Sequence, residues 1–423
     1  MRSLGGVLVA ALVGLAAPAG AQDTLLASSA AIELRQMCEA DRATLWGADL
    51  CGPLIVVDPA TRQAWATQPD QDGTFRFSGS GWSGALPASV PVANSTVAWD
   101  GVRWIMVMAP LPEDATERRV LIAHEAWHRA QDSLGLTARG ADNAHLETER
   151  GRLLMRLEFR ALATAMRSRS APRRRAARDA MFFRNMRLAE FLNAPYAEAS
   201  LDRNEGLASY TGVRLGAGSG AAADLYAART LDRYDRHDAL ARSYAYASGP
   251  AYGLLLDENR PTWRGALGEA SPGDLLNVAV RPDPYSPETF IRLAARYGGD
   301  AIAAEERTRA QERAVVVAAF RAQYGAGPRL VLNVARMQME FDPEQVTPID
   351  GLGSVYRTLT VRDAWGELRA TEGALISSDF TQIVVANPGP DGLSGPGWAL
   401  SARPGLYVLP PDQTGARSIV EAP

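Results

Sequence analysis

Residues 120–131 read VLIAHEAWHRAQ and place two of the chain's four histidines, His124 and His128, four residues apart, with Glu125 directly after the first. On a helix, side chains at i and i+4 stand one turn apart on one face, so the two imidazoles suit two coordination positions on one Zn2+. Glu125 points about 100° around the axis from His124, near enough to reach a water at that metal without being a ligand. The spacing therefore predicts a hydrolytic metal site. The metal would lower the pKa of its water towards about 7, and Glu125 would take the proton and later return it to the leaving amine. With four His in 423 residues, such a motif is expected by chance in roughly one chain in several hundred.

Upstream of the motif, Asp114 followed three residues later by Glu117 reads as a capped helix start. Before that, two strand-like runs ending in Trp99 and starting at Val102 flank Asp100-Gly101, whose tolerance of positive φ predicts a hairpin. Downstream, helical patterns are expected at 143–167, 172–193, 198–214, 221–247, 251–257, 287–297 and 300–323, with a break at Ser248-Gly249-Pro250. After Pro328 the sequence turns to β-type runs separated by Gly, Pro and Asp, which predicts a sandwich or barrel. The reading is an α+β protein. Its segments are a signal peptide (1–21), a β-rich segment (22–111), a helical catalytic domain (112–325) and a C-terminal β domain (326–423).

The first residues combine Arg2, an apolar run from Leu4 to Leu15 and the small residues Ala19-Gly20-Ala21, the pattern of an export signal cut before Gln22. The run is too short for a spanning helix, so no transmembrane segment is expected after cleavage. Every cation is Arg, which fits a GC-rich bacterial genome, and the expected location is the periplasm or the medium. An oxidising compartment makes a Cys38–Cys51 disulfide the natural pairing, contributing up to about 3 kcal/mol for a loop of that size. A composition of 47% hydrophobic and 22% charged residues is that of a globular chain, and a net charge of −4 gives no pull towards nucleic acid.

HEAWH together with the string Asn204-Glu205-Gly206-Leu207-Ala208-Ser209-Tyr210 resembles the gluzincin zinc metallopeptidases, in which a glutamate on a later helix completes the site. NEGLASY is particularly similar to the glutamate-bearing segment of the aminopeptidase-N-like family. The resemblance covers these two motifs within the central helical region. It implies a zinc-dependent peptidase acting on peptide or protein substrates, with an edge strand beside the active-site helix; the strand ending at Met108 is expected to be that edge. The Gly-x-Met-Glu-Asn string that holds a substrate's free amine is missing, so internal cleavage is expected. The glutamate follows His128 after 76 residues, where the family has 18.

Three glutamates compete as third ligand. Glu147 has the 18-residue spacing, but acids are common in a first helical turn. Glu158 lies on an apolar stripe and needs a partner, either the metal or the second nitrogen of a zinc-bound His. Glu205 has the local string in its favour and is the expected ligand, with Glu158 behind a histidine. The resemblance implies a Tyr or His that hydrogen-bonds the oxyanion, and among Tyr244, Tyr246 and Tyr252 the expected one is Tyr246, with plain packing as the alternative for each. The arginines from Arg167 to Arg187 read as a solvated face or a dock for an anionic partner, and His145 and His237 as surface residues. The Gly216–Gly220 stretch reads as a turn between helices. Two other functions stay open: an envelope scaffold with a structural or vestigial zinc site, and hydrolysis of a non-peptide amide.

Overall fold

The computed structural model describes residues 19–137, 142–342 and 345–421, with side chains from residue 25 onward. The expected signal peptide lies outside the described residues, apart from the backbone of its last three. Among the described residues, no helix is long and apolar enough to cross a membrane. The chain divides into two compact units, Met1–Arg129 and Ala130–Pro423.

The first unit opens with α1 (Ala19–Asp41) and continues with six strands: β1 (Leu54–Val57), β2 (Gln63–Ala66), β3 (Arg76–Phe77), β4 (Trp82–Ala85), β5 (Ser95–Trp99) and β6 (Val102–Met108). They form one sheet in the order β3-β4-β2-β1-β6-β5. β1 is the unbroken apolar run LIVV, buried on both faces, and it sits in mid-sheet between antiparallel β2 and parallel β6. Asp100 and Gly101 both take positive φ (50° and 70°) and close the β5–β6 hairpin with Trp99 opposite Val102. The strand ending at Met108 is therefore interior, because β1 occupies its other side; the edge is β5. Ile55, Val57, Phe75, Trp104 and Met106 build the core of this unit. Cys38 and Cys51 are joined, with Cα atoms 5.9 Å apart, and tie the end of α1 to the approach to β1.

Helix α2 (Ala115–Gln131) carries HEAWH and runs unbroken through the division, so its last two residues count with the second unit. There follow α3 (Glu149–Arg167), α4 (Ser170–Glu190), α5 (Ala194–Leu201), α6 (Leu207–Gly212), α7 (Ala221–Tyr234), α8 (Leu240–Asn259), α9 (Pro272–Val280), α10 (Pro287–Arg296) and α11 (Gly299–Gly325). Two wide π-turns, Asp202–Gly206 and Val213–Ala217, bracket α6 and make 194–217 one continuous rod.

Three differences from the expected helices have local causes. The 221–247 pattern breaks after Tyr234, where the carbonyls of His237 and Asp238 turn to accept from the buried Arg152 guanidinium at 2.9 and 3.1 Å. The expected break at Ser248-Gly249-Pro250 is absent, and Pro250 lies inside α8. Proline removes one intrahelical bond, but Ala245, Gly249 and Gly253 put a bare face of α8 against the rod, and close packing there offsets the loss. α9 is a helix beyond the expected ones: Ser271 caps it, Pro272 starts it and Asp274 returns the bond to Ser271.

The remaining strands are β7 (Arg329–Asn333), β8 (Gln338–Phe341), β9 (Val346–Ile349), β10 (Gly353–Tyr356), β11 (Leu359–Asp363) and β12 (Gly366–Ala370). They continue with β13 (Ala374–Ser377), β14 (Gln382–Ala386), β15 (Ser394–Gly395), β16 (Trp398–Ala402), β17 (Leu406–Val408) and β18 (Ala416–Glu421). One sheet runs β17-β18-β7-β14-β13-β10-β9 and the other β15-β16-β12-β11-β8. Leu332, Ile376 and Val385 of the first meet Val361, Leu368 and Leu400 of the second in one shared core, which is a sandwich.

The α8 contact is asymmetric. A Cβ on Gly249 would sit 2.6 Å from the Gly206 carbonyl carbon, whereas one on Gly206 would meet the Gly249 Cα at an ordinary 3.5 Å. Gly249→Ala should cost about 1–3 kcal/mol, and Gly206→Ala should be neutral or stabilising by up to about 1 kcal/mol. Thermal melts of the two variants in parallel check this, and equal losses would contradict the packing.

Candidate metal centre

The histidine-bearing face is built from the start of α2. Asp114 Oδ1 accepts from the backbone N–H groups of Thr116 and Glu117 at 2.8 and 2.9 Å, which caps the helix as its sequence predicts. Arg118 forms a two-pronged ion pair with Glu33 of α1, at 2.6 and 2.9 Å. Ile122, Ala123, Ala126 and Trp127 are buried, and the Trp127 ring packs against Trp46, tilted by 39° with centroids 4.3 Å apart. At the other end, Arg129 donates to the carbonyls of Cys51 (2.6 Å) and Arg103 (3.1 Å), while Arg103 donates to that of His128 (3.3 Å). The edge strand β5 approaches the helix where the Thr96 hydroxyl stands 3.5 Å from the Glu125 carbonyl oxygen.

Held in this way, His124 and Glu125 are buried and His128 is half-buried. The Nε2 atoms of the two histidines converge to 3.2 Å. Two nitrogens bound at about 2.0–2.1 Å in a tetrahedral site stand about 3.3 Å apart, so the pair fits one Zn2+ without rearrangement.

The same face of α2 continues to Gln131, three residues past His128 and seven past His124. Gln131 Nε2 donates to Asn204 Oδ1 at 3.1 Å, and Asn204 Nδ2 donates to Glu205 Oε1 at 2.9 Å. The sequence reading gives Asn204 no role beyond its place in the NEGLASY string and does not name Gln131, although helical periodicity puts Gln131 on the histidine face.

Glu205 reaches this position through the π-turn. In a regular α-helix, Glu198, Asp202 and Glu205 would share one face. The wider turn at Asp202–Gly206, closed by Leu207 N–H on the Asp202 carbonyl, delays the rotation. Glu198 and Asp202 are accordingly sunk in the core, while Glu205 is half-buried.

Beneath the turn lies a cluster of fully buried charges. Arg187 donates to Glu198 Oε1 (2.6 Å), Glu198 Oε2 (2.8 Å) and Glu158 Oε2 (2.7 Å). Arg184 donates to Glu198 Oε2 and pairs with Asp202, both at 3.0 Å. The Tyr252 hydroxyl donates to Glu158 and the Tyr244 hydroxyl to the Glu198 backbone carbonyl. His145 Nε2 stands 2.8 Å from Glu198 Oε1. Three expectations change here. Glu158 is held by Arg187 and Tyr252 rather than by a histidine, so it supports the rod. Arg173, Arg184 and Arg187 are buried in ion pairs instead of facing solvent. His145 belongs to this cluster and is no surface residue; His237 is half-buried, with its Nδ1 3.3 Å from the Ser243 hydroxyl.

Glu147, which has the family spacing, ends a short 3-10 helix (Ala144–Glu147) and pairs with Arg309 and Arg313, each at 3.3 Å. Of the three tyrosines, Tyr244 and Tyr252 are committed to the cluster. Tyr246 stays half-buried on α8, next to Ala245, whose carbonyl oxygen lies beside Gly206. Comparison with family models, curated proteins and solved structures finds no match for this chain.

Burial alone would raise the Glu198 carboxyl, but Arg187, His145 and Arg184 outweigh it and hold it well below the usual range. For Asp202 burial wins, and with Glu198 reinforcing it against the pull of Arg184 the carboxyl is pushed up to about 7. Over pH about 4 to 7 the folded chain keeps a proton on Asp202 that the unfolded chain has released, so this group costs stability as pH rises through that window. Wild type and Asp202→Asn should melt most alike near pH 4, with the variant gaining on the wild type by pH 8. Glu198→Gln should cost about 3–5 kcal/mol, because it leaves buried guanidinium charge unpaired. Melting curves from pH 4 to 8 test both; a wild type–Asp202→Asn gap that does not move with pH would refute the Asp202 assignment.

Proposed function

We propose that the chain is an exported zinc-dependent metallopeptidase that cleaves within polypeptides, with His124, His128 and Glu205 holding the ion. The observation that carries this reading is the convergence of the two imidazole Nε2 atoms to 3.2 Å on one face of α2. Zinc would supply a Lewis acid that polarises the scissile carbonyl and makes water nucleophilic near neutral pH. Glu125, adjacent to His124 but rotated off the ligand face, takes the proton from the attacking water and gives it to the departing amine. Asn204 orients the Glu205 carboxylate, and Gln131 orients Asn204. The outer edge of β5 offers main-chain groups to an extended substrate, and Thr96 ties that edge to the turn bearing Glu125. Tyr246 is proposed as the donor to the developing oxyanion.

Purified chain should contain about one Zn2+, lost in His124→Ala and in His128→Ala. Glu205→Ala should weaken zinc binding far more than Glu147→Ala, because Arg309 and Arg313 already account for Glu147. Glu125→Gln should keep zinc and lose hydrolysis of an internally quenched peptide pool. Zinc retained with no hydrolysis by the wild type would instead support a structural site in an envelope scaffold. Acetylating the amino terminus of a cleaved peptide should leave its rate unchanged, and a large loss would restore an aminopeptidase.

A further inference from the structure

In the first unit, the Cys38–Cys51 bond closes the loop 39–50, and both cysteines are half-buried rather than sealed in the core. That loop lies on the histidine-bearing turns of α2. Trp46, in its middle, packs against Trp127 with ring centroids 4.3 Å apart. At its end the Cys51 carbonyl accepts from Arg129 at 2.6 Å, and Gly52 lies so near that a Cβ there would collide with the Arg129 side chain. Arg129 also donates to the Arg103 carbonyl at 3.1 Å, while Arg103 donates at 3.3 Å to the His128 carbonyl, in the last turn of α2 where helical partners run out. His128 therefore stands between two residues, 127 and 129, that the loop holds in place.

The backbone of this loop is strained. Arg42 and Ala43 sit side by side at φ of 49° and 57°, a region where an L side chain crowds its own carbonyl, and neither is a glycine. Such residues persist only where the surrounding structure holds them. Asp41 gives local support, its carbonyl and carboxylate accepting from the N–H groups of Thr44 and Leu45 at 3.0 and 3.1 Å. The covalent bond is what pins the two ends together. Opening it returns the chain entropy of the closed loop and lets Arg42 and Ala43 relax, at the expense of the contacts to Trp127 and Arg129.

We infer that the Cys38–Cys51 disulfide is a redox switch on the metal affinity of the histidine pair: closed, the loop clasps the His128 turn in its ligating position, and opened, it releases that turn. The inference rests on the zinc reading proposed above. The reductant is a dithiol. It passes two electrons and two protons to the Sγ–Sγ bond, which breaks to give two thiols, while the dithiol becomes a disulfide; a disulfide oxidant reverses the step. A chain whose thiols are still reduced is thereby kept from binding zinc tightly.

Zinc Kd, measured on the full chain by competition with a chromophoric chelator, tests this. Cys38→Ser/Cys51→Ser stands in for the opened form, because free thiols beside Asp49 would bind zinc themselves. It should bind Zn2+ about 10 to 100-fold more weakly than the disulfide-bonded wild type, at a temperature where its helix signal is intact. Arg129→Met with the disulfide closed should weaken binding by a similar factor, and the three substitutions together should add little further, since both act through one contact. In metal-free wild type, a dithiol should speed amide exchange at residues 125–129 while the start of α2, held by Asp114 and Glu33, exchanges as before. An equal Kd in the serine chain, additive losses, or exchange at 125–129 that ignores the dithiol would each overturn the switch alone. Should the serine chain lose its helix signal, an unchanged Kd in Arg129→Met overturns it. A disulfide-bonded wild type that binds no zinc would overturn the metal reading and the switch with it.

Discussion

The buried pairing of Arg184 and Arg187 with Glu158, Glu198 and Asp202 is the constraint around which the helical region is arranged. It draws Glu158 of α3, Arg184 and Arg187 of α4, Glu198 of α5 and Asp202 of the π-turn to a single point, and the hydroxyls of Tyr244 and Tyr252 bring α8 to the same place. Burying five ionisable groups is costly unless every charge is matched and every lone pair is met. Geometry here leaves little freedom: Arg187 bridges Glu158 and Glu198, and Arg184 bridges Glu198 and Asp202. Two guanidiniums face three carboxylates, so the raised carboxyl of Asp202 and the imidazole of His145 are where the remaining imbalance is absorbed.

On that base the rod from Ala194 to Ala217 can present Glu205. Its first turn sends Glu198 and Asp202 downward, and the π-turn then releases the next acid from their face. Gly206 and Gly249 allow α8 to close over the turn, which fixes the direction in which Glu205 emerges. Gln131 and Asn204 carry the same positioning to the end of α2. Within the first unit, the histidine turns of α2 are held by the Asp114 cap, the Arg118–Glu33 pair and the Trp46–Trp127 contact.

Much of this was legible in the residues where local chemistry decides the outcome. The HEAWH helix, its Asp114 cap, the Asp100-Gly101 hairpin, the Cys38–Cys51 bond and the change to strands after Pro328 all follow from short-range pattern. What escaped was set by tertiary contact. Nothing local distinguishes Arg184 and Arg187 from the solvent-facing arginines around them, because their partners lie 11 or more positions away or on other helices. Pro250 reads as a helix breaker until the packing of α8 against Gly206 is known. The π-turn has no residue signature, yet it decides which of three acids on one rod leaves the core. Ser271, and Gln131 seven residues after His124, are cues that the sequence carries openly.

Because both cations of the buried cluster are arginines, neither can shed its charge when its partners are absent. A chain with α4 packed but α5 detached would bury two permanent positive charges against Glu158 alone, and one with α5 packed but α4 detached would strand Glu198 and Asp202. Partial assemblies of this region are therefore penalised at every step. Helices α3, α4, α5 and α8 form one cooperative unit that opens together or not at all, and Glu205 shares its fate. Slow, concerted amide exchange across these four helices, rather than fraying from the rod's ends, is the dynamic signature that such a cluster imposes.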